Sequence, residues 1–196
     1  MKKIAVALLA LIGFQFSTLA QSSSKLHPST FTVSFIFNDF TTAANIRANN
    51  IGNVIKNQQF GVIKKMAPGL AFTYLKGLKS NFDLSTSFAG SFVDYPIRGK
   101  DPMGKDNFLL EGDVSLRGRM FSNPSAKVNP YLQAGLGASM YKSYFGAFIP
   151  VGAGLQVNLF DESYVIATAQ YRLPVSELTN YHFFFGIGIA GNIGKR

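Results

Sequence analysis

Residues 181–193, YHFFFGIGIAGNI, decide the fold of this chain. Successive side chains of a β-strand point to opposite faces, and here one face is large and apolar. That face consists of Tyr181, Phe183, Phe185, Ile187, Ile189 and Ile193, and it is interrupted only by Gly191. The opposite face is mostly small or polar: His182, Phe184, Gly186, Gly188, Ala190, Asn192 and Gly194.

This stretch is too long for an ordinary soluble strand. Soluble strands typically have about five or six residues, whereas a tilted strand crosses a bilayer with roughly 9–11. A face of glycine and alanine fits a narrow, crowded lumen better than a wet surface. The stretch therefore predicts the closing strand of a membrane barrel.

The same alternation recurs along the chain. Period-two runs occupy eight stretches: 30–37, 68–74, 82–92, 107–120, 132–140, 149–159, 165–173 and 181–193. In the 107–120 run, Phe108 and Leu110 oppose Glu111 and Asp113. Open strand edges are not tolerated in lipid, so the eighth strand must pair with the first. The pattern predicts an all-β chain, an eight-stranded antiparallel up-and-down transmembrane β-barrel.

Short and long connections alternate between these strands. Turns are predicted near 76–81, 121–130 and 161–163, and loops near 39–65, 96–106, 142–147 and 174–180. This alternation is typical of outer-membrane barrels, with the turns in the periplasm and the loops outside. The long first loop is predicted to be partly helical over 43–48, with Thr41 or Thr42 as the N-cap.

A soluble eight-stranded barrel of lipocalin type is the alternative architecture. Its exterior would be polar, which suits the face that carries Glu111 and Arg117. However, the strands at 132–140 and 149–159 would then expose glycines with little side chain to solvate. The membrane barrel is therefore favoured.

The first 20 residues have the regions of a secretory signal peptide. Lys2 and Lys3 form a basic region, 4–16 is apolar, and 18–20 resembles a cleavage site. We expect a signal peptide at 1–20 and an outer-membrane β-barrel domain at 21–196, with a retained N-terminal anchor as the alternative. The sequence has no cysteine, which excludes a lipoprotein anchor, disulfides and a cysteine nucleophile.

The chain is basic, with a formal net charge of +9 that becomes +7 once Lys2 and Lys3 are removed. Export argues against a nucleic-acid partner, whereas anionic lipid headgroups fit the charge. The predicted lipopolysaccharide contacts are basic loop residues: Lys56, Lys64, Lys65, Arg98, Lys100 and Lys105. An ordinary solvated loop surface is the alternative explanation.

Aromatic residues near the predicted strand ends predict the two interfacial girdles of a membrane barrel. They are Tyr95, Tyr131, Tyr141, Phe148, Phe160, Tyr164 and Tyr181. Charged residues on the opposite face predict a network inside the barrel: Asp83, Glu111, Asp113, Arg117, Arg119 and Arg172. An eight-stranded lumen is filled by side chains, so these charges should pair; an ion or proton path is the alternative.

Five short stretches resemble the OmpA-like transmembrane barrel domain of outer-membrane proteins. They are 38–40 (NDF), 91–96 (SFVDYP), 106–111 (DNFLLE), 129–138 (NPYLQAGLGA) and 146–150 (GAFIP). The resemblance covers the mature chain and implies the barrel fold and insertion by the barrel assembly machinery. Longer members carry a C-terminal peptidoglycan-binding domain, which we expect this chain to lack. Many members end on an aromatic residue, whereas this chain ends at Arg196.

One constellation suggests catalysis. His182 lies near Ser176 and Glu177, and some outer-membrane barrels are lipid-modifying enzymes with a Ser-His-acid set at the rim. A lone histidine at a strand end is more often structural. The glycine pairs at 135/137 and 186/188 are not phosphate loops, because neither lies between a strand and a helix.

We therefore expect an outer-membrane β-barrel protein with a filled lumen and a structural or interaction role in the cell envelope. No catalysis, cofactor or metal is expected. The expected partners are outer-membrane lipid, lipopolysaccharide, the barrel assembly machinery and an envelope protein that the sequence does not identify. A small porin and a lipid-modifying enzyme are the alternatives, although aqueous channels need about 16 strands.

Overall fold

The computed structural model describes residues 26–79, 81–97, 107–123, 126–160 and 163–193. The predicted signal peptide lies outside these residues, and so do Arg98, Lys100 and Lys105 of the second predicted loop. No helix within the described ranges combines the length and the hydropathy of a membrane span.

Eight strands of 10 to 17 residues form the protein. They are β1 (Thr30–Asp39), β2 (Ala67–Lys79), β3 (Phe82–Phe92), β4 (Phe108–Arg119), β5 (Val128–Tyr141), β6 (Tyr144–Phe160), β7 (Ser163–Pro174) and β8 (His182–Asn192). Each strand pairs antiparallel with the next, and β8 pairs with β1 to close the barrel. The predicted eight-stranded up-and-down architecture is confirmed. Closure satisfies the backbone hydrogen bonds of both edge strands, as a lipid environment requires.

The two faces of the wall have the predicted polarity. Large apolar side chains point outward along the strands, and Leu136 and Ile189 are 71% and 68% exposed. The inward face carries the buried polar and charged residues, with Glu111 at 1% and Arg172 at 0% exposure. The soluble barrel alternative is wrong, because its polar face would have to lie outside.

The two ends of the barrel differ. At the termini end, Thr30 of β1 pairs with Asn192 of β8; at the loop end, Asp39 pairs with Phe183. The turns at the termini end are shorter than predicted, because β2 continues to Lys79 and β5 begins at Val128.

The predicted loop at 142–147 is wrong. Tyr141 pairs with Tyr144, so a two-residue hairpin joins β5 to β6 at the loop end. Lys142 takes the left-handed backbone conformation at φ 53° that such a tight turn uses. The glycine and alanine at 146–147 weaken the alternation of side-chain size, although the strand continues through them.

The first long connection contains helix α1 (Phe40–Ala48), helix α2 (Ile51–Lys56) and a short 3₁₀ helix (Ile63–Lys65). The predicted cap is wrong: Asp39, not Thr41 or Thr42, caps α1. The backbone N–H of Thr42 donates to Asp39 Oδ1 at 2.8 Å and its hydroxyl to Oδ2 at 2.5 Å. Aspartate is a strong N-cap because its carboxylate satisfies free N–H groups of the first turn.

Candidate functional site

Part of the lumen near the termini end is filled by a largely apolar cluster. A buried cluster combines residues of β2, β5, β7 and β8: Leu75, Tyr131, Tyr164, Ile166 and Ala190. The hydroxyl of Tyr131 is 2.5 Å from that of Thr168, so its polar group has a partner inside the barrel. This cluster occupies the interior as side chains occupy that of small barrels in general.

The predicted aromatic girdles are wrong for most of their residues. Five of them are buried, at 1–2% exposure: Tyr95, Tyr131, Tyr141, Phe148 and Tyr164. Tyr181 is half-buried, and the side chain of Phe160 lies outside what the structure describes. Period-two alternation contained the correct signal, because Tyr131 and Tyr141 have the same parity as the inward-facing Gln133.

Glycines on the inward face make room for these rings. A Cβ atom on Gly154 would overlap the ring of Tyr131, and one on Gly137 would overlap the ring of Phe148. The glycines of β5 and β6 therefore allow a large aromatic ring on one strand to lie over the glycine that is its partner on the neighbouring strand. The lumen is packed by this complementarity of large and small residues.

The six predicted lumen charges lie inside the barrel, but they do not form one network. Near the termini end, Arg119 Nε donates to Asp83 Oδ2 at 2.8 Å, and both side chains are fully buried. Adjacent strands β3 and β4 supply this pair. A buried ion pair holds the two side chains in place because losing either partner leaves an uncompensated charge.

A second ion cluster lies nearer the loop end. Arg172 Nη1 of β7 is 2.5 Å from Glu111 Oε2 of β4, and Nη2 is 3.5 Å from Asp113 Oδ2. His182 Nε2 of β8 lies 3.3 Å from the other Glu111 oxygen, Oε1. The cluster joins strands that are not neighbours in the sheet, so it ties opposite walls of the barrel together.

Aromatic rings enclose the guanidinium of Arg172. Its Cζ atom lies 3.9 Å from the centre of the Phe184 ring and 4.8 Å from that of Phe148. Gln170 Oε1 accepts a hydrogen bond from Arg172 Nε at 3.3 Å. Planar guanidinium groups stack on aromatic faces while they bind carboxylates at their edge, and this arrangement excludes water from the ion pairs.

Arg117 joins neither ion cluster. It is 3% exposed, its guanidinium stacks 3.9 Å from the centre of the Tyr131 ring, and its Nη2 donates to Gln133 Oε1 at 3.5 Å. Within the described residues, its Nε and Nη1 atoms have no hydrogen-bond partner.

The segment that follows β3 closes the loop end. Val93, Tyr95 and Ile97 pack with Leu109 and Tyr141 in a buried cluster. The hydroxyl of Tyr141 donates to the Val93 carbonyl at 3.0 Å, and the backbone N–H of Asn180 donates to the hydroxyl of Tyr95 at 2.8 Å. Burial raises the pKa of Tyr95, so its hydroxyl remains protonated.

Helix α1 lies over the same end of the barrel. Phe40 packs against Tyr95 and His182, with ring centres 5.1 Å and 4.5 Å apart. Arg47 stacks over the ring of Tyr181 at 4.0 Å. Sequence patterns did not indicate these contacts, because they join a loop helix to segments far away in the chain.

Ser176 and His182, two of the residues considered for catalysis, have separate partners. The Ser176 hydroxyl accepts from the Ala147 N–H at 2.9 Å and bonds to Thr179. His182 points into the lumen, where Glu111 and the carbonyl of Asn180 contact its two nitrogens. No hydrogen bond between Ser176 and His182 connects them into a relay in the described structure.

His27 enters the termini end from the segment before β1. It is 3% exposed, its Nε2 lies 3.3 Å from Gln156 Nε2, and its ring packs on that of Tyr164. Burial lowers the pKa of His27 below its ordinary value; the Asp83 carboxylate opposes this shift, and the guanidinium groups of Arg119 and Arg117 add to it. No alternating pattern points to this residue, because it precedes the first alternating run.

The surface of the first connection combines apolar and basic groups. Four large apolar side chains are exposed there: Ile51, Ile55, Phe60 and Ile63. Lys56, Lys64 and Lys65 are exposed in the same segment. Phe60 contacts Phe183 edge to face, so the segment reaches the outward face of β8 at the loop end.

A groove of about 500 Å³ lies beside two of these lysines. Lys64 and Lys65 stand at one side, Phe92 and Pro68 form part of its apolar wall, and Asp94 lies among its polar residues. The groove therefore combines positive charge and apolar surface at the rim of the barrel.

Comparison with known proteins identifies the fold class. No protein-family model and no curated protein matches the sequence. Several solved structures match: OprG of Pseudomonas aeruginosa superposes with a TM-score of 0.59 at 9% identity, over 88% of this chain and 99% of that chain. Neisserial surface protein A superposes with a TM-score of 0.55 at 10% identity, over 84% and 97% of the two chains.

Ail of Yersinia pestis superposes with a TM-score of 0.51 at 15% identity, over 85% of this chain and 98% of that chain. At such identities the similarity concerns the fold alone. The protein has the fold of small eight-stranded outer-membrane barrels, with an apolar exterior and a packed, charged interior.

Proposed function

We propose that this protein is an integral outer-membrane barrel of the OmpA-like type, with a closed lumen and a structural or interaction role in the cell envelope. Its loop-end segment, residues 40–65, would rest on the anionic headgroups of the outer leaflet. The observation that carries the proposal is the polarity of the barrel wall. Its outward face is apolar, whereas its inward face carries buried charges that form ion pairs.

The packed interior argues against the porin alternative. Buried clusters occupy the termini end around Tyr131 and the loop end around Tyr95, and a third contains Ile36 and Phe184. Wide aqueous channels belong to barrels with about twice this number of strands. In a planar lipid bilayer the folded protein should therefore produce no ion conductance. Regular single-channel steps would overturn the closed-lumen proposal.

The first connection supplies the proposed contact with lipopolysaccharide. Ile55 and Ile63 are 59% and 70% exposed beside lysines, and amphipathic segments of this composition lie in membrane interfaces. Several weak contacts must act together, because a single surface ion pair contributes about 0–1 kcal/mol. Arg98, Lys100 and Lys105 belong to the same proposal from the sequence.

The binding test compares two triple variants of the folded barrel. Replacing Lys56, Lys64 and Lys65 by Gln should weaken lipopolysaccharide binding at low salt. The matched control replaces three exposed lysines at the termini end, Lys76, Lys79 and Lys127, and removes the same charge. Equal affinity of both variants, or binding that is insensitive to salt, would contradict the contact, since exposed charges are screened beyond roughly 8 Å at physiological ionic strength.

The proposed orientation has its own test. The chain has no cysteine, so a single introduced thiol reports one position. Ser143→Cys, on the exposed hairpin of the loop end, should react with a membrane-impermeant reagent on intact cells. Lys127→Cys, exposed at the termini end, should react only after permeabilisation. The opposite pattern would reverse the orientation.

A further inference from the structure

A small polar cavity lies inside the barrel beside Arg117. Its volume is about 20 Å³, slightly more than the roughly 10–15 Å³ that one water molecule needs. Five hydroxyl side chains line it: Ser34, Thr73, Ser85, Ser87 and Thr168. Gln133 and Gln170 complete its polar wall, and no carboxylate is among its described lining residues.

Arg117 brings a buried positive charge to this cavity without a carboxylate of its own. Within the described chain its only hydrogen-bond acceptor is Gln133 Oε1, and its Nε and Nη1 atoms have none. The neighbouring carboxylates are engaged elsewhere: Asp83 binds Arg119, and Asp113 accepts from Ser115 and lies near Arg172. A buried charge without a partner is strongly unfavourable in a protein interior.

The two amide side chains present donors to the same space. Gln133 Oε1 accepts from Arg117, and Gln170 Oε1 accepts from Arg172. Each oxygen is therefore occupied, which leaves both NH₂ groups to donate. Thr73 and Ser87 bond to each other at 3.0 Å, and Thr168 bonds to the hydroxyl of Tyr131. Hydroxyl groups rotate to suit a ligand, so those of Ser34 and Ser85 can also donate into the cavity.

We propose that this cavity binds one monovalent anion of halide size, for which chloride is the natural candidate. The anion would accept hydrogen bonds from Arg117, the amides and the hydroxyl groups, and it would neutralise the guanidinium. The volume of the cavity excludes phosphate, sulfate and carboxylate ligands. The site is independent of the proposed lipopolysaccharide contact, because it lies in the lumen and uses none of the loop lysines.

Crystals of the folded wild-type barrel grown in bromide provide the direct test. Bromide replaces chloride in such sites and is recognised by its anomalous scattering. We expect an anomalous peak within hydrogen-bonding distance of the Arg117 guanidinium. Density for a water molecule, without an anomalous signal at that position, would overturn the proposal.

Unfolding in solution provides a second test. Replacing gluconate by chloride at constant ionic strength should raise the urea concentration at the unfolding midpoint of the wild-type protein in detergent micelles. Above the dissociation constant, each tenfold increase in chloride should raise the folded-to-unfolded ratio about tenfold. Arg117→Gln should lose this dependence, whereas Lys142→Gln, which removes an exposed charge on the loop-end hairpin, should retain it. An equal chloride response in Arg117→Gln would also overturn the proposal.

Discussion

Arg172 of β7 contacts Glu111 of β4 across the interior of the barrel, with 2.5 Å between Nη1 and Oε2. The two strands are separated by β5 and β6 in the sheet, so backbone pairing alone does not bring these side chains together. Both side chains are buried, and Phe184 covers the guanidinium. The contact therefore stabilises the closed cross-section of the barrel.

Removing one partner of this pair should destabilise the protein. Arg172→Met leaves Glu111 buried without its main partner, and a loss of about 3–5 kcal/mol in the free energy of unfolding is expected. The double variant Arg172→Met/Glu111→Gln should recover much of this loss. Urea unfolding in detergent micelles gives the unfolding free energies of the wild type, the two single variants and the double variant. Additive effects of the two substitutions would show that the pair does not couple the strands.

Gly154 and Gly191 provide a matched test of lumen packing. A Cβ at Gly154 would overlap the ring of Tyr131, whereas a Cβ at Gly191 meets no atom within 4 Å. Gly154→Ala should cost about 1–3 kcal/mol of unfolding free energy through overpacking, and Gly191→Ala should cost less. The comparison uses urea unfolding of both variants. Equal stability would mean that Tyr131 moves aside without cost.

Depth in the bilayer should determine the effect of a charge on the outer wall. Leu136 is 71% exposed at mid-strand, and Phe145 is 67% exposed next to the loop-end hairpin. Leu136→Arg should cost about 2–4 kcal/mol and Phe145→Arg about 0–1 kcal/mol, because a charge is most unfavourable at the midplane. The folding free energies of both variants are measured by refolding into lipid vesicles. A larger loss for Phe145→Arg would place the hydrocarbon layer elsewhere on the wall.

The buried imidazole of His27 should make stability depend on pH. Its pKa is lower in the folded state than the ordinary value near 6.5, so below that value the unfolded chain binds the proton more readily. Stability should therefore be full above about pH 6.5 and should fall as pH drops towards the folded pKa. His27→Gln should lose less stability than the wild type over this interval.

Unfolding midpoints of both proteins at about pH 7.5 and pH 5.5 test the sign of this effect. All other ionisable groups are common to the two proteins, so the difference between them isolates His27. An identical fall in stability for the variant and the wild type would show that His27 protonation does not oppose folding.

The sequence by itself determined the strands, their two faces and the closure of the barrel. Alternation of period two is a local property that each strand repeats, and an apolar outer face leaves closure as the way to satisfy the edge strands in lipid. The inward position of Glu111 and Arg172 followed from the same parity. Parity also placed Tyr131 inside, but the tendency of aromatic residues to lie at membrane interfaces suggested the opposite.

Only the tertiary structure decided which groups meet inside. The division of the lumen charges into the Asp83–Arg119 pair and the Arg172 cluster depends on the stagger between strands, which alternation does not encode. The entry of His27 and the isolation of Arg117 likewise depend on contacts between distant segments. In a barrel of eight strands the interior is so narrow that each side chain is positioned by those opposite it, and these come from elsewhere in the chain.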